Sequence, residues 1–356
     1  MTTTDTRLDW ISVHIFYSSN ANPLLLSLVR PLVATLRDAK LIQRYFFIRY
    51  WLGGPHIRLR LLPAPTAEPA AIREVIEPHI AAHLHDTPAL FQFDAKLVKP
   101  LYKQFYIAEY GKEQLAERYG PDGDIPLYPN NSYHYIPYEP ELQRYGGPDG
   151  LEVSERHFEE SSEVVLELVD RTNVHVRSVL FGNAVQLMVP LAYCMFRHDE
   201  KLICEFFQRY MKFWQDAFGE NSGALFSQFD RKYGRVERDL RARMEDTRMR
   251  MSEPTRHAET ALERRWIAHA RKLRAAIETL VDAGKVLIHD RTAGTSAPAS
   301  SVDEACQLLL TSYTHMTNNR LGVSILDEVY LSFLLVRALG GAPLTGGAQN
   351  ASPEST

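Results

Sequence analysis

Residues 46–61 read Phe46-Phe47-Ile48-Arg49-Tyr50-Trp51-Leu52-Gly53-Gly54-Pro55-His56-Ile57-Arg58-Leu59-Arg60-Leu61. Two runs rich in β-branched and aromatic residues flank a Gly-Gly-Pro break, which predicts two strands, over 43–51 and 56–62, joined by a tight turn. On the second strand Ile57 and Leu59 share the face turned to a core. Arg58 and Arg60 share the other, roughly 7 Å apart along the chain. Two neighbouring guanidiniums repel unless an anion or a carboxylate lies between them. The alternative is a solvated sheet face, and the adjacent turn and apolar neighbours favour the lining of a pocket.

Working outward, residues 10–17 (WISVHIFY) alternate and predict a further strand. Residues 23–36 carry apolar side chains at spacings of three and four, an amphipathic helix with Asn22 as its cap and a bend at Pro31. A second helix follows over 67–84. The order β-α-β-β-α resembles a split βαβ layer with helices on one face. Residues 95–107 (AKLVKPLYKQFYI) are aromatic and broken by proline, and are expected to be extended. Residues 120–150 are an irregular stretch rich in Pro, Gly, Asn and Tyr. Beyond residue 152 the periodicity is helical, with helices at 153–171, 178–196, 200–218, 255–284, 302–319 and 324–339. Residues 291–301 read as a loose loop and 341–356 as a disordered tail. The expected fold class is α+β: an antiparallel or mixed sheet layer (8–150), then a mostly helical half (151–340), in one domain over 1–340.

Composition narrows the function. The 356 residues are 45% hydrophobic and 24% charged, as in ordinary globular proteins. The net charge of −4 argues against a globally basic nucleic-acid binder. Three cysteines (Cys194, Cys204, Cys306) without CxxC spacing argue against a disulfide framework or zinc site and fit a reducing cytoplasm. The N-terminus lacks the pattern of a secretory signal. The most apolar stretch, 179–196, is interrupted by Gly182, Asn183, Gln186 and Pro190, so a buried helix is expected and no membrane span. Residues 235–274 hold twelve basic against seven acidic side chains. They read as a solvated helical surface or as a docking stripe for an acidic partner. No P-loop, HExxH, GxSxG or nucleotide-binding GxGxxG occurs.

Two further groups carry chemistry. In Tyr138-Glu139-Pro140-Glu141-Leu142-Gln143-Arg144-Tyr145-Gly146-Gly147 the acid at 141 and the arginine at 144 share a face if the turn is helical. The glycine pair permits positive φ or close backbone approach. A local ion pair is the plainer reading. In residues 312–322 (SYTHMTNNRLG) His315 interrupts an apolar helical pattern. Asn319, one turn on, is placed to orient the imidazole, and Arg320 adds charge near the helix end. A lone histidine on such a face is more often a satisfied core residue. His83 and His85 fall in a helical pattern and make weak metal ligands.

Taken in order, residues 10–17, Phe46–Leu61, Tyr138–Gly147, 155–168 (ERHFEESSEVVLEL) and His315–Gly322 resemble the C-terminal elimination domain of lantibiotic dehydratases, found also among thiopeptide-type bacteriocin biosynthesis proteins. The resemblance covers about 10–339. It implies a lyase that expels glutamate from glutamylated serine or threonine of a precursor peptide, leaving dehydroalanine or dehydrobutyrine. The family's functional residues fall on Arg58, Arg60, Glu141, Arg144 and His315, with Tyr145, Asn319 and Arg320 as expected substrate contacts. No metal or organic cofactor is implied. The chain opens on the elimination-type strand, so a separate glutamylating dehydratase subunit is expected as partner, beside the precursor peptide. A homodimer through the C-terminal helices is a further alternative, and direct binding of nucleic acid is not expected. Two other functions stand beside elimination. Some stand-alone members form the pyridine ring of thiopeptides by a formal aza-[4+2] cycloaddition, and a non-catalytic partner of the glutamylating subunit would need no converging site.

Overall fold

The computed structural model describes residues 10–92, 94–218, 222–252, 260–290 and 293–342. The expected tail beyond residue 342 lies outside them. A four-stranded sheet is built from β1 (Ile11–Phe16), β2 (Ile42–Tyr50), β3 (His56–Pro63) and β4 (Ser132–Tyr135), with β1 buried on both faces. The spatial order is β2-β3-β1-β4 and every pairing is antiparallel, so the sheet is not mixed. Because β1 and β2 both oppose β3, they run parallel with β3 inserted between them, the split βαβ arrangement. Val13, Ile15, Leu59 and Leu61 are wholly buried on one face.

Two expectations for the first crossover change. Its helical path runs α1 (Ala21–Leu24), a π turn (Leu25–Val29) and α2 (Arg30–Asp38). The cap is Asn20, whose side chain accepts from the Asn22 backbone N–H at 3.0 Å. Asn22 itself lies inside the helix and accepts from Arg49. Pro31, which lacks a donor, falls in the first turn of α2, where the π turn has already shifted the hydrogen-bond ladder. In α3 (Pro69–Asp86) Ile72, Ile76, Ile80 and Leu84 form the buried stripe, spaced by four.

Residues 95–107 are helical, not extended: α4 (Ala95–Tyr110) is capped by Asp94, which accepts from Lys96 N at 2.9 Å. Tyr102 and Tyr106, one turn apart, pack with Leu115 and Ile125 in a small second core. That packing outweighs the cost of Pro100 within the helix. α5 (Lys112–Tyr119) completes this lobe.

The helical half contains α6 (Gly147–Arg171), α7 (Arg177–Met195), α8 (Glu200–Phe218), α9 (Ser222–Ser252), α10 (Ala261–Asp282), α11 (Val302–Leu321) and α12 (Ile325–Ala338). The sequence reading had no separate helix for α9. Residues 255–259 of the expected helix 255–284 lie outside the described residues, and α10 starts at a capping box, Thr260 with Glu263. Of the loose loop expected at 291–301, residues 291 and 292 lie outside the described residues, and residues 295–298 instead form a strand, β6 (Thr295–Pro298), paired antiparallel with β5 (Leu287–Asp290). Among the described residues α7 alone is long and apolar enough to cross a bilayer, and 67% of that window is buried within the protein.

The two halves meet along the open edge of β2. Phe47 N–H donates to Ser162 Oγ of α6 at 3.2 Å. Arg49 N–H donates to Asn319 Oδ1 of α11 at 3.0 Å, and Asn319 Nδ2 returns a bond to Arg49 O at 2.9 Å. Helix side chains thus take the place of a fifth strand.

Candidate active site

The strand register fixes what shares the arginine face. Arg58 lies opposite His14 on β1 and Ile48 on β2, and Arg60 lies opposite Ser12 and Phe46. Gly53 (φ 83°) and Gly54 (φ 120°) carry the preceding turn, and Tyr128 N–H donates to Gly53 O at 2.8 Å. A Cβ on Gly53 would lie 3.0 Å from the Tyr128 ring, so close approach as well as φ demands glycine there. His56 follows. Its Nδ1 lies 2.7 Å from Gly54 O, so that nitrogen carries the proton. Its Nε2 then accepts from Arg58 Nε at 3.2 Å. Burial, and after it the Arg58 charge, hold this imidazole neutral, with its pKa lowered to about 3. Arg58 also lies 3.6 Å above the Tyr50 ring.

Arg60 is 9% exposed. Its guanidinium lies 4.0 Å over Tyr138 and 5.3 Å over Phe46. Burial lowers its pKa to about 10. Buried polar atoms of this face without a hydrogen-bond partner among the described residues include Arg60 Nε, Ser12 Oγ and His14 Nε2. His14, enclosed beside Arg58, is held neutral mainly by burial.

Glu141 and Arg144 sit on a tight turn closed by Arg144 N–H to Glu141 O at 3.0 Å. Their side chains approach at 3.5 Å and are partly exposed. Arg144 Nε also donates to Ser312 Oγ of α11 at 3.1 Å, which ties the turn to the C-terminal helices. Tyr145 is buried, its pKa raised by burial, and its ring meets Phe158 edge-on. Gly146 and Gly147 take positive φ, and a Cβ on Gly150 would lie 2.2 Å from Tyr145 O.

One turn beyond Ser312, His315 directs Nδ1 at both oxygens of Glu328, each at 3.2 Å. The Trp214 ring lies 4.6 Å away, and His315 keeps 16% of its side chain exposed. Glu328 is fully enclosed on α12, and the Tyr210 hydroxyl donates to it. Burial raises the Glu328 pKa, against the pull of His315 and Tyr210. The expectation that Asn319 orients the imidazole is corrected: Asn319 is spent on the β2 edge, and Glu328 meets His315 instead. Arg320 is wholly buried, donating to Ser162 Oγ and Met316 O, with its pKa lowered by burial to about 9.

The side chains therefore form one chain of neighbours. Arg58 and Arg60 stand on β3, Arg60 meets Tyr138, and Glu141, Arg144 and Tyr145 follow on the turn. Arg144 reaches Ser312, one turn from His315. Arg320 and Tyr145 both border the Arg60 group electrostatically. The sequence reading gave no role to His56, Tyr138, Glu155 or Glu328. Glu155 is buried beside Tyr138 and Arg60, and burial raises its pKa. Tyr138 and Glu155 lay within quoted motifs. Glu328, an acid inside the apolar pattern of residues 325–336, was the legible signal for the last.

A family model described as the lantibiotic biosynthesis dehydratase C-terminal region matches residues 10–339. The chain belongs to that family. No curated protein matches it. Among solved structures it is similar to a pyridine synthase, TbtD, from thiomuracin biosynthesis, with TM-score 0.71 and 20% identity over 93% of this chain and 98% of that one. It is also similar to TsrL, with TM-score 0.64 and 20% identity over 93% and 94%. The tRNA-dependent lantibiotic dehydratase MibB from Microbispora sp. 107891 matches with TM-score 0.51 and 16% identity over 95% of this chain and 28% of that one. At these identities the likeness is one of fold.

Elsewhere on this family member, a cleft of about 470 Å³ lies between α7, α9 and α10, and one of about 490 Å³ between α2, α6 and α10. Neither is lined by any of the eight candidate residues. The basic excess of 235–274 is largely spent in ion pairs, including Arg250 with Asp246 and Glu263, Arg248 with Glu245, and Arg265 with Glu160. Among the described residues no three His, Cys, Asp or Glu side chains gather as a metal site.

Proposed function

We propose that the protein β-eliminates glutamate from glutamylated serine or threonine residues of a ribosomally made precursor peptide. The observation that carries this reading is the buried Arg60 guanidinium, whose Nε has no partner and whose neighbours Ser12 and His14 also leave buried polar atoms unpaired. Burying a cation with a donor left unpaired costs a fold stability, which an anionic ligand offsets.

The chemistry runs in two stages. A base removes the Cα proton, and the electron pair moves into the peptide carbonyl as an enolate. The enolate then reforms its carbonyl, the Cα–Cβ double bond closes, and the Cβ–O bond breaks to release glutamate as a carboxylate. Arg58 and Arg60 receive the departing acid, in a setting where fixed cations act strongly. Arg144 and Tyr145 face the enolate oxygen, Glu141 holds Arg144, and His315 takes the proton. The glutamyl group comes from a separate glutamylating protein, and this chain handles no nucleic acid directly.

The test supplies purified protein with a synthetic peptide bearing one serine O-glutamyl ester. Loss of glutamate by mass spectrometry, abolished in His315→Ala and Arg60→Met, is expected. An unchanged peptide with wild-type protein refutes the proposal. A second reading is favoured by the similarity to a pyridine synthase over nearly the full length of both chains. In that reading the protein joins two dehydroalanines by cycloaddition and expels the leader, and a peptide bearing two dehydroalanines would be its substrate.

A further inference from the structure

We infer that Glu328 is the positioning residue for His315, fixing the imidazole as the Nδ1–H tautomer so that Nε2 is the nitrogen that takes the substrate proton. The inference rests on the elimination reading for its function, but not for its geometry. Glu328 is fully enclosed, and both of its oxygens lie 3.2 Å from His315 Nδ1. The Tyr210 hydroxyl already donates to Oε2. Burial raises the Glu328 pKa, but the donors His315 and Tyr210 pull toward the carboxylate, and a carboxylate can only accept, so the imidazole nitrogen facing it carries the hydrogen. Trp214, 4.6 Å from the imidazole, packs against the ring and resists its rotation. The carboxylate is itself anchored, because Ser324 caps α12 and sets Glu328 in the first turn of that helix. A base oriented through its second nitrogen by a buried acid is a recurrent device for general-base catalysis.

Tyr210 makes the inference sharply testable. In Glu328→Gln the new amide has one acceptor and one donor end. Tyr210 donates, so the amide carbonyl turns to the hydroxyl and the NH2 turns to His315. The imidazole must then accept at Nδ1 and carry its hydrogen on Nε2, where it can no longer act as base. Removing the hydroxyl as well, in Glu328→Gln/Tyr210→Phe, frees the amide carbonyl to face the imidazole again.

The experiment combines ¹⁵N NMR of histidine-labelled protein, with His315→Ala used to assign the His315 signals, and kinetics on the synthetic serine O-glutamyl peptide. Wild-type protein is expected to show His315 as the Nδ1–H tautomer. Glu328→Gln is expected to switch the tautomer and lower kcat by about a hundredfold, with KM changed by less than about threefold. The double variant is expected to recover the tautomer and part of kcat, whereas two purely structural losses would add. A wild-type His315 bearing its proton on Nε2 overturns the inference. So does a Glu328→Gln protein with normal kcat while His315→Ala is inactive. If His315→Ala remains active, the base assignment of the elimination reading fails instead, and the tautomer measurement still judges Glu328 by itself.

Discussion

Replacing Arg60 by methionine should make the protein more stable and inactive at once. The side chain stands on β3 with its charge enclosed, and burial brings its pKa from 12.5 to about 10. At 1.36 kcal/mol per unit, the enclosed charge costs the fold about 3 kcal/mol. The sign is that of a cation disfavoured in the folded state, so the cost is present throughout the neutral range and disappears with the charge. Against it stand the contacts with Tyr138 at 4.0 Å and Phe46 at 5.3 Å, together returning about 0.5–2 kcal/mol. Methionine keeps much of the volume and the apolar contact without the charge. Urea denaturation at pH 7 should therefore give an unfolding free energy raised by about 1–3 kcal/mol. In parallel, release of glutamate from the synthetic ester peptide should fall to background. A variant less stable than the parent would identify Arg60 as a structural support of the sheet. A stable variant that still released glutamate would remove the cation from the chemistry.

Three further outcomes can be measured on the same footing. Gly150→Ala should destabilise by about 1–3 kcal/mol, because its methyl would sit 2.2 Å from Tyr145 O. Gly234→Ala, in α9 with nothing within 4 Å, should stabilise by about 0.5–1 kcal/mol, so the pair checks that close approach and not helix propensity decides. Asn319→Ala should cost about 1–3 kcal/mol in denaturant titration by leaving Arg49 N–H and O unpaired at the sheet edge. His269, 3.0 Å from the buried His157, has its pKa lowered to about 4 by burial. Below pH 6.5 the unfolded chain takes up this proton first, so stability falls as pH drops toward 4. His269→Asn should shrink the difference in stability between pH 7 and pH 5 by about 1–2 kcal/mol, and an unchanged difference would refute the assignment.

Part of the candidate site's geometry was legible because strand alternation is a strict rule. Once residues 56–62 read as a strand, Arg58 and Arg60 had to share a face. The segments holding Glu141, Arg144 and His315 could be named from their residue types, but their meeting could not. It depends on Arg144 reaching Ser312, a contact spanning 168 residues. Local spacing misled at two points. Asn319 lies one turn from His315, yet the unsatisfied backbone of β2 offered it two bonds and took it. Residues 95–107 suggested an extended chain through Pro100 and their aromatics, whereas Tyr102 and Tyr106 were the buried stripe of a helix. Glu328 was missed because an acid in an apolar helix has no visible purpose until its partner helix is in place.

The seal on β2 has a consequence for dissecting the molecule. Ser162 and Asn319 supply the groups that another strand would offer, and both come from the C-terminal half. A truncated N-terminal piece ending before α6 would display a bare row of peptide donors and acceptors beside Phe47 and Arg49. Such a piece should recruit copies of itself edge to edge and come out of solution as ribbons or precipitate, and supplying the missing helices in trans should suppress that assembly.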